Sequence, residues 1–200
     1  MANARNVGIL IFDDVEVLDF CGPFEVFSVT VVGKEKPFNV FTIAESRPIT
    51  ARNSLSVNPT YLLDEAPSMD ILLIPGGYGT RPLLENAGLL DWIRSRSRKT
   101  ELTVSVCTGS LLLARAGLLE GLEATTHHAA FDLLGELAPN TRVRKDLRIV
   151  DNGKIIASGG ISAGIDMAFH VVRRLLGDEV AVQTASYMEY DWSPGNAKSA

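Results

Sequence analysis

A chain of 200 residues with 46% hydrophobic and 22% charged side chains is long enough for one globular core and too apolar for disorder. Its formal charge of −5 gives no field that would hold nucleic acid or an anionic membrane surface, so neither is an expected partner. Two cysteines make no disulfide framework, no apolar run approaches the roughly 20 residues of a bilayer span, and the opening segment lacks a signal-peptide pattern, so a cytoplasmic protein with free thiols is expected.

Short apolar runs at 7–12, 39–44, 70–74, 103–107 and 154–158 predict strands. Several, such as Ile71-Leu72-Leu73-Ile74, are continuous rather than alternating, the pattern of strands buried on both faces. Helical patterns fall at about 23–30, 83–98, 109–119, 129–137, 162–176 and 178–189. This alternation predicts an α/β fold, a doubly wound, mostly parallel sheet with helices on both faces. The basic run Arg94-Ser95-Arg96-Ser97-Arg98-Lys99 closes one helix, where cations meet the negative end of its dipole. The charged stretch 141–150 leads into Asp151-Asn152-Gly153-Lys154, whose Asn-Gly pair predicts a hairpin at the sheet's edge. A single domain over 1–190 is expected, followed by a flexible tail over 191–200.

Ligands of open α/β sheets bind beyond the carboxyl ends of the strands, which directs attention to three segments. After the first strand, Asp19 stands between Leu18 and Phe20. Partial burial there raises a carboxyl pKa and lets the group donate a proton; the alternative is a helix N-cap before Pro23. Asp13, Asp14 and Glu16 read as solvated loop charges, and Cys21 as a packed thiol. After the third strand, Ile74-Pro75-Gly76-Gly77 allows close backbone approach, with an ordinary turn as the alternative. The spacing and the Lys-Ser/Thr pair of a phosphate loop are missing.

After the fourth strand, Cys107-Thr108-Gly109-Ser110 carries half of a nucleophile-elbow pattern. Such a turn sets Cys107 at a helix N-terminus, which lowers a thiol pKa from about 8.5 to roughly 3.5–7.5; the alternative is a small buried hydrophobe. The Gly77 and Thr108 amides would form an oxyanion-hole pair. His127 and His128 have no carboxylate or further cysteine at metal spacing, so no metal is expected, and His170 reads as a packing or helix-surface residue.

Taken together, Leu18-Asp19-Phe20-Cys21-Gly22-Pro23, Ile74-Pro75-Gly76-Gly77, Val106-Cys107-Thr108-Gly109-Ser110, Ala124-Thr125-Thr126-His127 and Ser158-Gly159-Gly160-Ile161-Ser162-Ala163-Gly164-Ile165-Asp166 resemble the ThiJ/PfpI superfamily over about residues 5–190. Within it the set is most similar to the isocyanide hydratases, which carry Asp at the Asp19 position and a Cys-Thr-Gly-Ser elbow. The resemblance implies a flavodoxin-like, glutamine-amidotransferase-type sheet, a homodimer, no cofactor, Cys107 as nucleophile and Asp19 as its acidic partner. It also implies that an isocyanide, R–N≡C, gains water to become an N-substituted formamide. Thr108 would position the thiolate and, with Gly77, contribute backbone donors; Ile161 would lie against the site, its mobility coupled to the cysteine. His127 matches a histidine common in the superfamily and reads as structural or interfacial.

Two departures narrow the resemblance. PfpI-type peptidases have His where this chain has Thr108, so a Cys-His dyad is not expected. Glyoxalase-like and redox-sensing members have Glu where this chain has Asp19. AraC-type regulators share the elbow and the Ala124-to-His127 segment, which leaves a ligand-sensing domain as the main alternative, although no helix-turn-helix pair is read after residue 190. A redox sensor is the third reading.

Overall fold

The computed structural model describes residues 4–192. Within them the apolar runs form a seven-stranded sheet from β1 (Arg5–Leu10), β2 (Phe38–Ala44), β3 (Tyr61–Leu62), β4 (Ile71–Ile74), β5 (Leu102–Val106), β6 (Ile149–Asp151) and β7 (Ile155–Ser158). The strands lie in the order β6-β7-β5-β4-β1-β2-β3. All neighbours are parallel except β6 and β7, which form the edge hairpin that Asn152-Gly153 predicts.

Every residue of β4 and β5 is buried, which is why neither run alternates: helices cover both faces of the sheet. These helices are α1 (Val17–Val29), α2 (Thr80–Leu83), α3 (Ala87–Lys99), α4 (Gly109–Arg115), α5 (Phe131–Leu137), α6 (Ala163–Leu176) and α7 (Asp178–Tyr187). One packed group contains α1, α6 and α7; in the other, α4 contacts α2, α3 and α5. Helix α6 shows the logic, burying Met167, Phe169, Val171 and Val172 while Arg173 and Arg174 stay on its wetter side.

Several boundaries differ from the sequence pattern for local reasons. Helix α1 starts at Val17 and runs through Pro23 instead of beginning there. Because proline has no N–H, the Asp19 carbonyl four residues earlier loses its helical donor. The pattern over 83–98 breaks at Asn86, whose side chain caps the Leu89 amide at 3.0 Å and starts α3. Helix α3 ends at Lys99, which places the basic run in its last turns. Of the charged stretch only Ile149 and Val150 join the hairpin, in the strand Ile149–Asp151; Arg142–Val143 pairs instead with Glu123–Ala124. The ribbon Ile49–Ala51 with Leu55–Val57, and strand β3, are too short to show periodicity. Trp192, placed by the sequence pattern in the tail, is buried and stacks on Phe169 at 5.2 Å. The rest of the expected tail, 193–200, lies outside the described residues.

The topology positions the site. From β1 the chain builds outward through β2 and β3, then returns to lay β4 on the other side of β1. At this reversal the carboxyl ends of neighbouring strands open a crevice, the usual ligand site of such sheets.

Candidate active site

The loops that leave β1, β4, β5 and β7 meet at Cys107, the first residue after β5. Cys107 takes a left-handed backbone conformation with φ of 56°, at a cost of about 1–3 kcal/mol for a non-glycine residue. Its surroundings fix that turn. The Cys107 amide lies 3.1 Å from the Ser158 carbonyl and 3.0 Å from that of Gly159. Its carbonyl accepts from Thr126 Oγ1 at 2.8 Å and Ser110 Oγ at 3.1 Å. Gly109 completes the elbow because a Cβ there would stand 2.1 Å from the Ile74 carbonyl oxygen.

Asp19 is the third residue of α1 and is wholly buried, so it is not an N-cap; that position belongs to Glu16. Its Oδ2 accepts the Gly76 amide at 3.0 Å and its Oδ1 the Ile161 amide at 3.0 Å. Its carboxyl also lies against the Cys107 thiol, close enough for each to act on the other's titration. Burial pushes Asp19 up to about 7, outweighing the bonds that favour its charged form. Burial, followed by the Asp19 charge, pushes the Cys107 thiol up to about 12, against a smaller opposing effect of the Thr108 amide. The low thiol pKa expected from a helix N-terminus is therefore overturned. Helix α4 has only seven residues, and its partial charge does not outweigh desolvation beside a carboxylate. Between these two values the thiol and carboxyl together hold one proton.

Thr108 and Gly77 meet, though not as an open donor pair. The Gly77 amide donates to Thr108 Oγ1 at 3.0 Å, so it is already committed, which corrects its expected place in an oxyanion hole. The Thr108 amide points at the Cys107 sulfur. Ile161 lies at the cleft with its side chain exposed and a φ of 56°. His127 also lines the cleft. Its Nδ1 accepts the Ala129 amide at 3.3 Å, its ring lies 4.1 Å from that of His128, and burial, His128 and Arg81 hold it below the ordinary histidine range. Gly160 sits beneath these groups: a Cβ there would be 2.4 Å from His127 Cδ2 and 3.4 Å from Cys107 Sγ.

The cleft over the thiol encloses about 260 Å³. Three of its wall residues, Glu16, Tyr78 and Arg81, escaped the sequence reading. Glu16, expected as a solvated loop charge, is half-buried there. The only available signal for Arg81 was its place just after the glycine-rich turn. His170, Cys21 and Asp166 lie elsewhere. His170 is buried with Nε2 2.8 Å from Asp151, Cys21 is half-buried with its thiol raised by desolvation, and Asp166 pairs with Arg148 at 2.6 Å. Among the described residues no group of three metal-ligating side chains occurs, and no helix is long and apolar enough to cross a membrane.

Comparison with known proteins finds relatives along most of the chain. The chain is 36% identical to isonitrile hydratase of Pseudomonas putida over 197 residues, covering 96% of this chain and 81% of that protein. It is 26% identical over 192 residues to the HTH-type transcriptional regulator GbdR of Pseudomonas aeruginosa, but spans only about half (52%) of that regulator. A ThiJ/PfpI family protein from Pseudomonas syringae superposes with a TM-score of 0.85 at 28% identity, covering 96% of this chain and 77% of that one. DJ-1beta of Drosophila melanogaster, at 18% identity and a TM-score of 0.82, has the same fold, with 95% of this chain and 100% of that one covered. The DJ-1/PfpI family model matches residues 5–174, and the chain belongs to that family.

Proposed function

We propose that the protein hydrates an isonitrile to the N-substituted formamide, with Cys107 as nucleophile and Asp19 as the group that moves the proton. The observation that carries this reading is the buried contact between thiol and carboxyl; the similarity to an isonitrile hydratase supports it. The terminal carbon of R–N≡C is at once the electrophile and, after attack, the atom that needs a proton. A nucleophile and an acid that touch each other can serve one carbon.

Sulfur forms the C–S bond while one C–N π pair moves to nitrogen. The carbon lone pair then takes the proton shared with Asp19, giving the thioimidate R–N=CH–S–Cys107. The Asp19 carboxylate next takes a proton from water as the hydroxyl adds to the same carbon, and returns it to nitrogen. Collapse of R–NH–CH(OH)–S–Cys107 breaks the C–S bond, releases R–NH–CHO and leaves thiol and carboxylate with their original single proton. The Thr108 amide steadies the sulfur; Ile161 holds Asp19 through its amide and walls the substrate. No cofactor enters this sequence.

The test is incubation with an alkyl or aryl isonitrile while N-formamide is followed by mass spectrometry. Turnover by the wild type and none by Cys107→Ala is expected; no formamide from the wild type would sink the proposal. A second reading, a ligand-sensing module, is favoured by the match to a transcription regulator across 94% of this chain. It predicts a metabolite that raises the melting temperature without being consumed. Redox sensing has less support, because the thiol is buried and pushed up to about 12, whereas oxidation proceeds through an accessible thiolate. The same overall reading has the protein as a cytoplasmic homodimer, for which light scattering should give twice the chain mass.

A further inference from the structure

The cleft wall carries a guanidinium that the reaction above does not use. Arg81, in α2, donates through Nη1 to the Gly77 carbonyl at 3.1 Å and to Thr80 Oγ1 at 3.0 Å. Thr80 Oγ1 in turn donates to the Gly77 carbonyl at 2.8 Å and lies 3.2 Å from Thr108 Oγ1. Arg81 is thus held in the same network as the residue beside the nucleophile. Both of its anchors are neutral. Among the described residues no carboxylate lies within ion-pair distance of it, whereas Arg52 pairs with Asp14, Arg115 with Glu85 and Arg148 with Asp166. The two contacts occupy Nη1 alone, and the other N–H groups of a guanidinium form a fork that matches a carboxylate.

Tyr78 reinforces that corner. Tyr78 is 65% exposed, and two cations lie near its ring, Arg52 at 4.4 Å and Arg81 at 5.7 Å from the centroid. These contacts steady the guanidiniums without neutralising them. Glu16 is the opposing charge on the cleft wall. It offers no donor to an anion and makes no ion pair with Arg81, so at contact range Arg81 governs which charge is bound.

The geometry points to an anion subsite at Arg81, so that the substrate class of the Cys107 site is a small isocyano carboxylate and its product an N-formyl amino acid. This inference rests on the hydratase reading for its chemistry, though not for the anion site itself. The isonitrile carbon meets sulfur at Cys107 while the carboxylate at the other end meets Arg81. A cleft of about 260 Å³ has room for a short spacer between them.

The test compares isocyanoacetate, its methyl ester and a quaternary-ammonium isonitrile of similar size on the full chain. Calorimetry alongside measures the binding of N-formylglycine and its methyl ester. Isocyanoacetate should exceed the ester in kcat/KM by about tenfold or more, as a charge-assisted hydrogen bond provides. Arg81→Gln should bring that ratio near one, and Arg81→Lys should keep part of it. Should Arg81→Gln fail to fold, salt serves instead: rising potassium chloride should depress kcat/KM for isocyanoacetate and leave the ester unchanged. Equal rates for acid and ester, or preference for the ammonium compound through Glu16, overturns the anion subsite and leaves the hydratase reading standing. Tighter binding of N-formylglycine than of its ester, lost in Arg81→Gln, with no isonitrile consumed, does the reverse.

Discussion

The Ile161 amide donates to the Asp19 carboxylate at 3.0 Å, which ties a β-branched residue with φ of 56° to the acid of the Cys107 pair. Left-handed backbone at isoleucine is rare and costly, and a charge-assisted bond at about 1.5–3 kcal/mol is large enough to hold it. Ile161 therefore both walls the cleft and secures the carboxylate behind it. The acid is held from two sides, by the loop after β7 and by the Gly76 amide after β4.

Replacing Asp19 should separate catalysis from packing. Asp19→Asn is expected to lower kcat for isonitrile hydration by about 10²–10⁴, the usual worth of a positioned general acid–base. Because the Asp19 charge helps hold the Cys107 thiol up, the same variant should bring the thiol titration down. Iodoacetamide rates against pH, on a Cys21→Ser background, would read this directly. A slower enzyme with an unmoved or higher thiol titration would argue for a purely structural Asp19.

The pH profile follows from the proton count. With Asp19 raised to about 7 and Cys107 to about 12, the one-proton pair predominates between them. Below about 7 the carboxyl is also protonated and no longer shares the thiol's proton. Hydration kcat/KM should rise with unit slope through about pH 7 and stay level well into the alkaline range. A fall through that region would contradict the assigned proton inventory.

Stability should carry the same signature. Asp19 binds its proton more tightly folded, at about 7, than unfolded, at 3.8. The native state therefore holds the extra proton between these values, and the contribution of this group makes the protein less stable as pH rises from about 4 to about 7. The full difference is on the order of 4 kcal/mol at 1.36 kcal/mol per unit. The melting temperature of Asp19→Asn minus that of the wild type should become more positive over this interval, by calorimetry. A difference independent of pH would place the acid's raised affinity in doubt.

Gly160→Ala should damage the cleft. The new methyl would fall 2.4 Å from His127 Cδ2, so the ring or the loop after β7 must shift. A tenfold or greater loss of kcat/KM is expected, since displacements of about 1 Å near reacting groups are costly. Unchanged kinetics would mean that neither His127 nor this loop helps to shape the bound substrate.

Much of the fold was legible because continuous apolar runs such as Ile71-Leu72-Leu73-Ile74 fit strands buried on both faces, and Asn152-Gly153 marked the edge hairpin. The start of α1 was not. Pro23 reads locally as a helix opening, and only the packing of α1 on α6 shows that the helix begins at Val17. The 45–69 region was also silent, since strands of two or three residues have too few side chains to express a period. Cys107 could be singled out because it stands just beyond a strand and before a glycine, and Asp19 because it is a carboxylate between the apolar Leu18 and Phe20. Arg81 and Tyr78 could not, because both stay exposed and only the approach of loops distant in sequence makes them walls of a cleft.

By itself the sequence determined the parallel α/β architecture, the elbow at Cys107 and the candidacy of Asp19, because these depend on local periodicity and on which residue types a turn admits. Tertiary structure alone decided the protonation of the pair. A cysteine at a strand-to-helix turn reads as acidic from local rules, but burial against an equally buried carboxyl reverses the direction. It also decided that the Gly77 amide is engaged by Thr108, and that an arginine without a carboxylate partner lines the same cleft as the thiol. These outcomes depend on desolvation and on through-space neighbours dozens of residues apart, quantities that no local pattern encodes.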